Sequence, residues 1–569
     1  MSPEATPISP STKETWLHLL LVAGGAALFY TNSFGNFFVW NDCTLIIENF
    51  LVKDWRNLPE IFSSAFWKPL IGEPPQIYRP LTLASFVMDF AFWGLKPWGY
   101  HFTNILLHVL NSILVYILAL KYVPSVPALT ASLLFAVHPI HVEAVTYIFG
   151  RGELFMAAFL LAGVLLFIRS RQSGSWLSYF VSLLCFFFAL LAKETAVIFP
   201  LLVLAGDIAV SPHLWRRDLW RQLACHVGPI AVLGGCILWW ELFVGKTAMI
   251  SVSAAPTFAG HLLLTLKAIP VYLGLLLFPW NLHFIHSVNP TSLLEPQVWL
   301  SVSILVGAGW GLRRALRSDN RAVSFALLWL LIGLLPVVYF IGHGLPLLEG
   351  WIYLPSLGFF LLVSIGFGKL SWGGQSHLQV WAGVLIAAVL GGVTFDRNRD
   401  WEDDLQISLH TATALPNNPV ALRLLGDARF KRGRTDEAER LYQEAIARTP
   451  DDPRLQESLG RINSFLRKDS LALAHYERMR ELTRWNPYAY WWIGRYYRRR
   501  VDFPSAAKYF SEAARIFPHS SELRNDLATA HYLLGNLDAA ESELRSALKM
   551  YPHSPMLRRN LEQLLKTKG

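Results

Sequence analysis

Ionisable side chains are sparse in the first 416 residues, and those present gather at the borders of apolar runs. Candidates for chemistry are Asn41-Asp42, Arg79, His101, His138, His141, Glu143, Arg151, Lys193-Glu194 and Glu349. If they share one face, Arg and Lys can hold a phosphate while a carboxylate takes a proton from a hydroxyl. His138, His141 and Glu143 superficially resemble a metal triplet. Their i, i+3, i+5 spacing does not put all three on one helix face, so no metal is expected. Pro139 between the histidines predicts a helix break, with a hydrogen-bonded histidine at the helix end.

The elements that must position these groups follow from composition. Of 569 residues 53% are hydrophobic and only 16% charged, against about 25% charged in soluble domains. Residues 417–569 hold 27 Lys/Arg and 19 Asp/Glu, carrying +8 of the +9 net charge. The sequence therefore predicts a membrane domain over 1–396, a linker over 397–418 and a basic repeat domain over 419–569. A purely cytosolic enzyme is excluded. Cys185, Cys225 and Cys236 lie in apolar runs, so neither a disulfide framework nor a CxxC site is expected.

Eleven apolar runs, from 15–33 to 378–394, match the roughly 20 residues needed to cross a bilayer. A twelfth, 261–279, contains Lys267 and Pro270 and is read as re-entrant or interfacial. With a cytoplasmic N-terminus, twelve Lys/Arg then fall in the inner tail and short loops, and only Arg151, Lys193 and Lys246 in the short outer ones. This places the first outer loop, about 34–98, and the C-terminal domain outside. Leu81–Trp98, rich in Phe and Trp, is expected to lie in the interface. The ionisable groups converge on that same outer face, as a site for a lipid-phosphate substrate requires. A transporter would instead want internally repeated spans with charged groups at the midplane, and no such repeat is seen.

After residue 418 a 34-residue period starts at Pro419, Pro453, Pro487 and Ser521, with a partial copy at Pro555. Position 8 is Gly426, Gly460, Gly494 and Ala528; position 24 is Tyr442, Tyr476, Phe510 and Leu544. Small residues where helices cross and bulky ones between them mark tetratricopeptide repeats, a superhelix that binds peptides or proteins. The third repeat carries Tyr488, Tyr490, Trp491, Trp492, Tyr496 and Tyr497 before Arg498-Arg499-Arg500. These either line a groove for an acceptor peptide or pack between helices with the arginines solvated. Nucleic acid is not an expected partner, because the repeats would lie outside the cytoplasm.

The motifs recur together in one known family. Phe38-Val39-Trp40-Asn41-Asp42, Tyr78-Arg79-Pro80-Leu81-Thr82, and Gly99-Tyr100-His101-Phe102-Thr103-Asn104 with His108 and Asn111 resemble the transmembrane-and-tetratricopeptide-repeat O-mannosyltransferases. So do His138-Pro139-Ile140-His141-Val142-Glu143 with Gly150-Arg151, Ala192-Lys193-Glu194-Thr195, Tyr353-Leu354-Pro355-Ser356 and the Asn398–Trp401 stretch. The resemblance covers nearly the whole chain. It implies an all-α, C-type glycosyltransferase membrane fold followed by a repeat solenoid, with the active site on the outer or lumenal face. It further implies an inverting transfer of a mannose-like hexose from a polyprenyl-phosphate carrier to a protein Ser/Thr hydroxyl. The repeats would recruit the acceptor, and no cofactor or metal would be needed.

Carried onto this chain, the resemblance makes Asp42 the catalytic base or acceptor-orienting group, and Arg79, Arg151 and Lys193 phosphate or site-lining groups. Asn41, His101, His141, Glu143, Glu194 and Glu349 would hold the constellation together. The chain departs from the family at Asn41, where the first of an acidic pair is expected, and at Trp351, where a basic residue is more usual. Asn cannot serve as a base near pH 7, so the competing expectation is a catalytically weak or inactive membrane scaffold acting through its repeats. Short linkers and the absence of a lumenal retention tail point to a bacterial inner-membrane protein with periplasmic repeats.

Overall fold

A computed structural model describes residues 11–62, 78–210, 219–240, 242, 258–280, 282–286, 292–337, 347–369, 376–518 and 520–568. Among these residues the fold is helical throughout, and the one β feature is an isolated bridge between His286 and Leu347. Arg216, Arg217 and Lys246 of the charge count, and parts of the first and later outer segments, lie outside the described residues.

Among the described residues four helical stretches are long and apolar enough to cross a membrane: Thr12–Gly35, Pro97–Ala119, Ile148–Ser173 and Leu378–Trp401. A fifth candidate is the pair Ser125–Val137 and Pro139–Thr146, bent by 48°. The bend is local chemistry. Pro139 cannot continue the ladder, His138 turns extended, and its ring nitrogen accepts from Ile140 N–H to cap the next turn. Other expected runs form shorter apolar helices, among them Trp176–Ala192 and Ser356–Gly368. The 261–279 run is one helix, Phe258–Leu277, that keeps Pro270 inside it and pairs Lys267 with Glu295 at 2.6 Å. The Phe/Trp-rich stretch folds as helix Pro80–Trp93, with Leu83, Phe86 and Val87 buried and Met88 and Phe92 exposed.

The stretch expected to be a linker is structured. Asp403 caps helix Asp404–Ala414 by accepting from the amides of Leu405 and Gln406, and this helix packs against the first repeat. Just before it, fully buried Asn398 gathers three parts of the chain. Its amide donates to Phe29 O (2.8 Å) and Asn32 Oδ1 (2.7 Å), and its Oδ1 accepts from Thr146 Oγ1 at 2.7 Å. Its carbonyl accepts from Asn36 at 2.9 Å.

The repeats follow the expected frame. Asn418, Asp452, Asn486 and Ser520 cap the first helix of each repeat with a side-chain oxygen, three of them ahead of a proline at the first helical position. Position 8 sits against position 24. A Cβ added to Gly426 or Gly494 would fall 2.5 Å or 2.7 Å from the Tyr442 or Phe510 ring, and one on Gly460 would overlap Tyr476. Ala528 is tolerated in the fourth repeat because Leu544 replaces the aromatic ring there. In the third repeat Trp491 and Tyr496 are buried, while Arg498 pairs with Asp526 (2.8 Å) and Arg500 with Asp469 (3.3 Å). The arginines thus reach the neighbouring repeats.

The solenoid docks on the first outer loop at both of its ends. At the near end Trp40 N–H donates to Asp404 Oδ1 at 2.7 Å and Phe37 N–H to Glu402 O at 2.8 Å. At the far end the Phe50 and Tyr551 rings meet edge to face at 5.6 Å, within an apolar cluster joining Leu45, Ile46 and Leu51 to Leu544 and Leu557.

Gly460→Ala should lower solenoid stability by about 1–3 kcal/mol through overpacking against Tyr476, seen as earlier loss of helical signal on heating. Adding Tyr476→Leu should recover part of the loss, as the Ala528–Leu544 pairing implies.

Candidate functional site

The candidate residues come from the first loop leading into helix Pro80–Trp93, helix Pro97–Ala119, the turns over 138–150 with the start of helix Arg151–Ser173, the turn around Lys193 and the 347–352 turn. The loop enters the site through Trp40, a non-glycine residue at φ 45° whose strain is held by the Asp404 bond and by its ring against Phe284 (4.3 Å) and Trp401 (5.9 Å). This turn separates the next two side chains. Asn41 is exposed, whereas Asp42 is fully buried. Asp42 Oδ2 accepts from Val39 N–H at 3.1 Å and Oδ1 from Phe149 N–H at 2.9 Å, fastening the first loop to the start of the 151–173 helix. Burial pushes the Asp42 carboxyl up to about 8, against the pull of the two backbone N–H groups.

Gly150 beside this contact has no room for a side chain, since a Cβ there would lie 2.6 Å from Ala144 O. Arg151 then points into protein. It pairs with Asp89 at 2.5 Å, donates through Nε to Asn104 Oδ1 (2.7 Å) and through Nη2 to Tyr100 O (2.9 Å), and lies 4.6 Å over the Phe86 ring. Arg79 makes a two-pronged pair with Glu194, at 2.9 Å and 2.6 Å. Lys193 pairs with Glu153. A small cavity with room for about one water lies beside Glu153, lined by Met156, Thr195, Ile198, Trp351 and Leu354.

The carboxylates behind them are linked. Glu143 Oε2 accepts from Gly350 N–H at 2.9 Å. Fully buried Glu349 contacts His286 Nε2 at 3.2 Å and Arg397 at 3.5 Å. Burial would raise the Glu349 pKa, but Arg397 and His286 outweigh it and hold the carboxyl below its usual range. His141 bonds Phe135 O (2.7 Å) and the Ser356 hydroxyl (2.9 Å), and His138 bonds Leu276 O at 3.1 Å. His101 is buried, facing the backbone of Asn36 and Thr146 without full hydrogen-bond geometry to either. Among the described residues no three His, Cys, Asp or Glu groups come together as a metal site.

The structure thus brings Arg79 to Glu194, Glu143 to Gly350, and Asp42 to the segment before Arg151. It sets His101 and His141 in the packed interior. The sequence named Asn104 and Asn398 only within motifs, without their roles, and did not single out His286 or Arg397. Polar residues inside apolar helices were the available signal for Asn104 and Arg397.

Comparison with known proteins places this architecture. Residues 83–240 match the family described as dolichyl-phosphate-mannose-protein mannosyltransferase, and residues 409–462, 466–521 and 501–564 match tetratricopeptide repeats. The chain is 28% identical to Drosophila melanogaster protein O-mannosyl-transferase Tmtc1, over 78% of this chain and 63% of that one. To human protein O-mannosyl-transferase TMTC3 it is 24% identical, over 97% of this chain and 61% of the relative. Over 52% of this chain and 34% of the relative it is 32% identical to Drosophila Tmtc2. The class is an integral membrane protein with a mannosyltransferase-like helical domain and a repeat solenoid, and within it the chain is TMTC-like. It spans about 61–63% of the length of the first relatives it matches.

Arg151→Met should cost about 3–5 kcal/mol of stability, because it leaves Asp89 buried without its cation. Thermal unfolding in detergent reads this, and adding Asp89→Leu should restore most of the loss.

Proposed function

We propose that this protein transfers a mannose-like hexose from a polyprenyl-phosphate carrier to a Ser/Thr hydroxyl of a protein on the outer membrane face. The observation that carries the reading is a cation next to the buried carboxylate: Arg79, paired with Glu194, lies 5.5 Å over the Phe149 ring, and Asp42 holds the Phe149 amide. A leaving phosphate calls for the cation and an attacking hydroxyl for the carboxylate. The similar protein O-mannosyl-transferases supply the reaction class.

In this reading the acceptor oxygen attacks the anomeric carbon with inversion and the bond from that carbon to the phosphate oxygen breaks. Polyprenyl phosphate leaves, and the hydroxyl proton passes to Asp42. A carboxyl titrating near 8 suits a general base. Both Asp42 oxygens hold backbone N–H groups, so the acceptor hydroxyl must displace one of them; the Val39 bond is the longer. Lys193 and Arg79 steady the leaving phosphate, and the solenoid, docked on the same loop, presents the acceptor. The protein sits in a bacterial inner membrane with its repeats in the periplasm.

One observation favours a second reading, a scaffold acting through its repeats. The exposed position next to Asp42 is the neutral Asn41, and the carboxylate itself is engaged with backbone.

Transfer of radiolabelled hexose from a panel of polyprenyl-phosphate sugars tests the two. The enzyme reading expects transfer by the wild type and a loss of about 10²–10⁴-fold in Asp42→Asn. No transfer by wild type, with transfer gained in Asn41→Asp, supports the scaffold. Because a raised pKa keeps Asp42 protonated and idle at lower pH, the wild-type rate should climb with pH and level off above about 8.

A further inference from the structure

The concave face of the solenoid carries two cations that its own acids leave unpaired. Side chains bridge the first helix of each repeat to that of the next. Ser458 donates to Asp427 (3.1 Å), Trp492 Nε1 to Glu457 (3.1 Å), Trp491 Nε1 to Asp526 (2.7 Å) and Asn560 to Asn525 (2.6 Å). First helices joined this closely line the inner side of the superhelix. Arg461 and Arg495 stand on that side, at position 9 of the second and third repeats. Their guanidinium groups lie over the Trp492 ring at 5.9 Å and 5.0 Å, and Arg495 also lies over Trp491 at 4.5 Å. Among the described residues neither has a carboxylate at ion-pair distance or a hydrogen-bond partner, whereas Arg423 and Arg498 on the same face hold Asp427 (2.9 Å) and Asp526 (2.8 Å).

The pair is held in place and reachable from solvent. Trp492 stacks on Tyr476 (5.6 Å between centroids, 6° between planes), and both indole N–H groups are fixed on carboxylates, so the rings that carry the cations cannot turn away. Arg461 and Arg495 themselves are half-buried. What completes such a pair is a carboxylate, whose two oxygens match the fork of a guanidinium. The acids of the face set where it goes. Asp427 and Asp526 are neutralised by their own arginines, and Glu457 accepts from the Trp492 indole. Exposed Glu522, at the far end, lies within electrostatic reach of Glu48 of the first loop, so an anion is favoured over the middle repeats and repelled at that end. Lys431, at the near end, is likewise within reach of Cys43. Both ends of the face thus meet the loop that carries Asp42, and a chain lying along the face runs beside that loop.

We propose that this face binds an extended acidic segment of the acceptor polypeptide, with an Asp or Glu carboxylate held between Arg461 and Arg495. This rests on a protein being the acceptor, as read above, but it concerns binding and is tested without turnover. The probes are short fluorescein-labelled peptides of Gly, Ser and Thr carrying four Glu, or four Gln in their place, titrated by anisotropy against the full-length protein in detergent. The wild type should prefer the Glu peptide. Arg461→Gln and Arg495→Gln should each cut that preference by about threefold to tenfold. Arg515→Gln removes the same charge from an exposed position on the second helix of the third repeat, and should change the preference by less than about twofold. Equal binding of the two peptides by the wild type overturns the proposal, as does an unchanged preference in both groove variants or an equal loss in Arg515→Gln. If one groove variant fails to fold, the other decides. Acidic preference in a protein that transfers no hexose upholds the groove and rejects the transfer reading; transfer without that preference does the reverse.

Discussion

Asn398 is the constraint on which the rest of the structure depends. Its one side chain ties the end of the first helix, at Phe29 and Asn32, to the 142–146 turn, at Thr146, just where the membrane part passes into the solenoid. Every bonding group of the amide is used, in a site without solvent, so a change of geometry at any partner leaves a buried polar group unmet. The node sets where the first outer loop begins and where helix Asp404–Ala414 starts. Trp40 then reaches Asp404, and Asp42 reaches Phe149, because both ends of the loop's approach are already fixed.

The ion pairs around the site serve the same end. Arg79–Glu194, Asp89–Arg151, Glu153–Lys193 and Glu349–Arg397 each join segments distant in sequence. A buried pair is weak evidence for net stability, since desolvation consumes most of its Coulomb attraction. What it supplies here is register: helices with little hydrophobic preference for one neighbour over another in a lipid medium are held by specific pairings. The solenoid belongs to this arrangement, with one end on Trp40 through Asp404 and the other on Phe50 through Tyr551. Loop and repeats are therefore held together at two separate contacts.

The repeats were readable residue by residue, because each contact between position 8 and position 24 lies within one 34-residue unit. The types of charged group at the site were also legible, since ionisable residues are rare in an apolar chain. Their partners were not. Arg79 and Glu194 are 115 positions apart, and nothing in either neighbourhood names the other. The division of Asn41 from Asp42 depends on the positive φ at Trp40, which only the tertiary contacts to Asp404 and Trp401 impose. Residues 397–418 read as a linker between the apolar and the basic parts, yet Asp403 caps a helix there and Asn398 fastens its approach. Arg151, expected to line a phosphate site, has Asp89, Asn104 and Tyr100 around its guanidinium, partners that its own neighbourhood in the sequence does not name.

The central claim is that the site and the solenoid share one membrane face, opposite the turn between the helices Arg151–Ser173 and Trp176–Ala192. In a variant with Cys43, Cys185, Cys225 and Cys236 replaced, single cysteines at exposed Asn41, Leu471 and Ser173 can be challenged with a membrane-impermeant maleimide in spheroplasts. The account predicts labelling of Asn41→Cys and Leu471→Cys in sealed spheroplasts, and of Ser173→Cys only after permeabilisation. Labelling of Ser173→Cys from outside, with Asn41→Cys and Leu471→Cys protected, would contradict it.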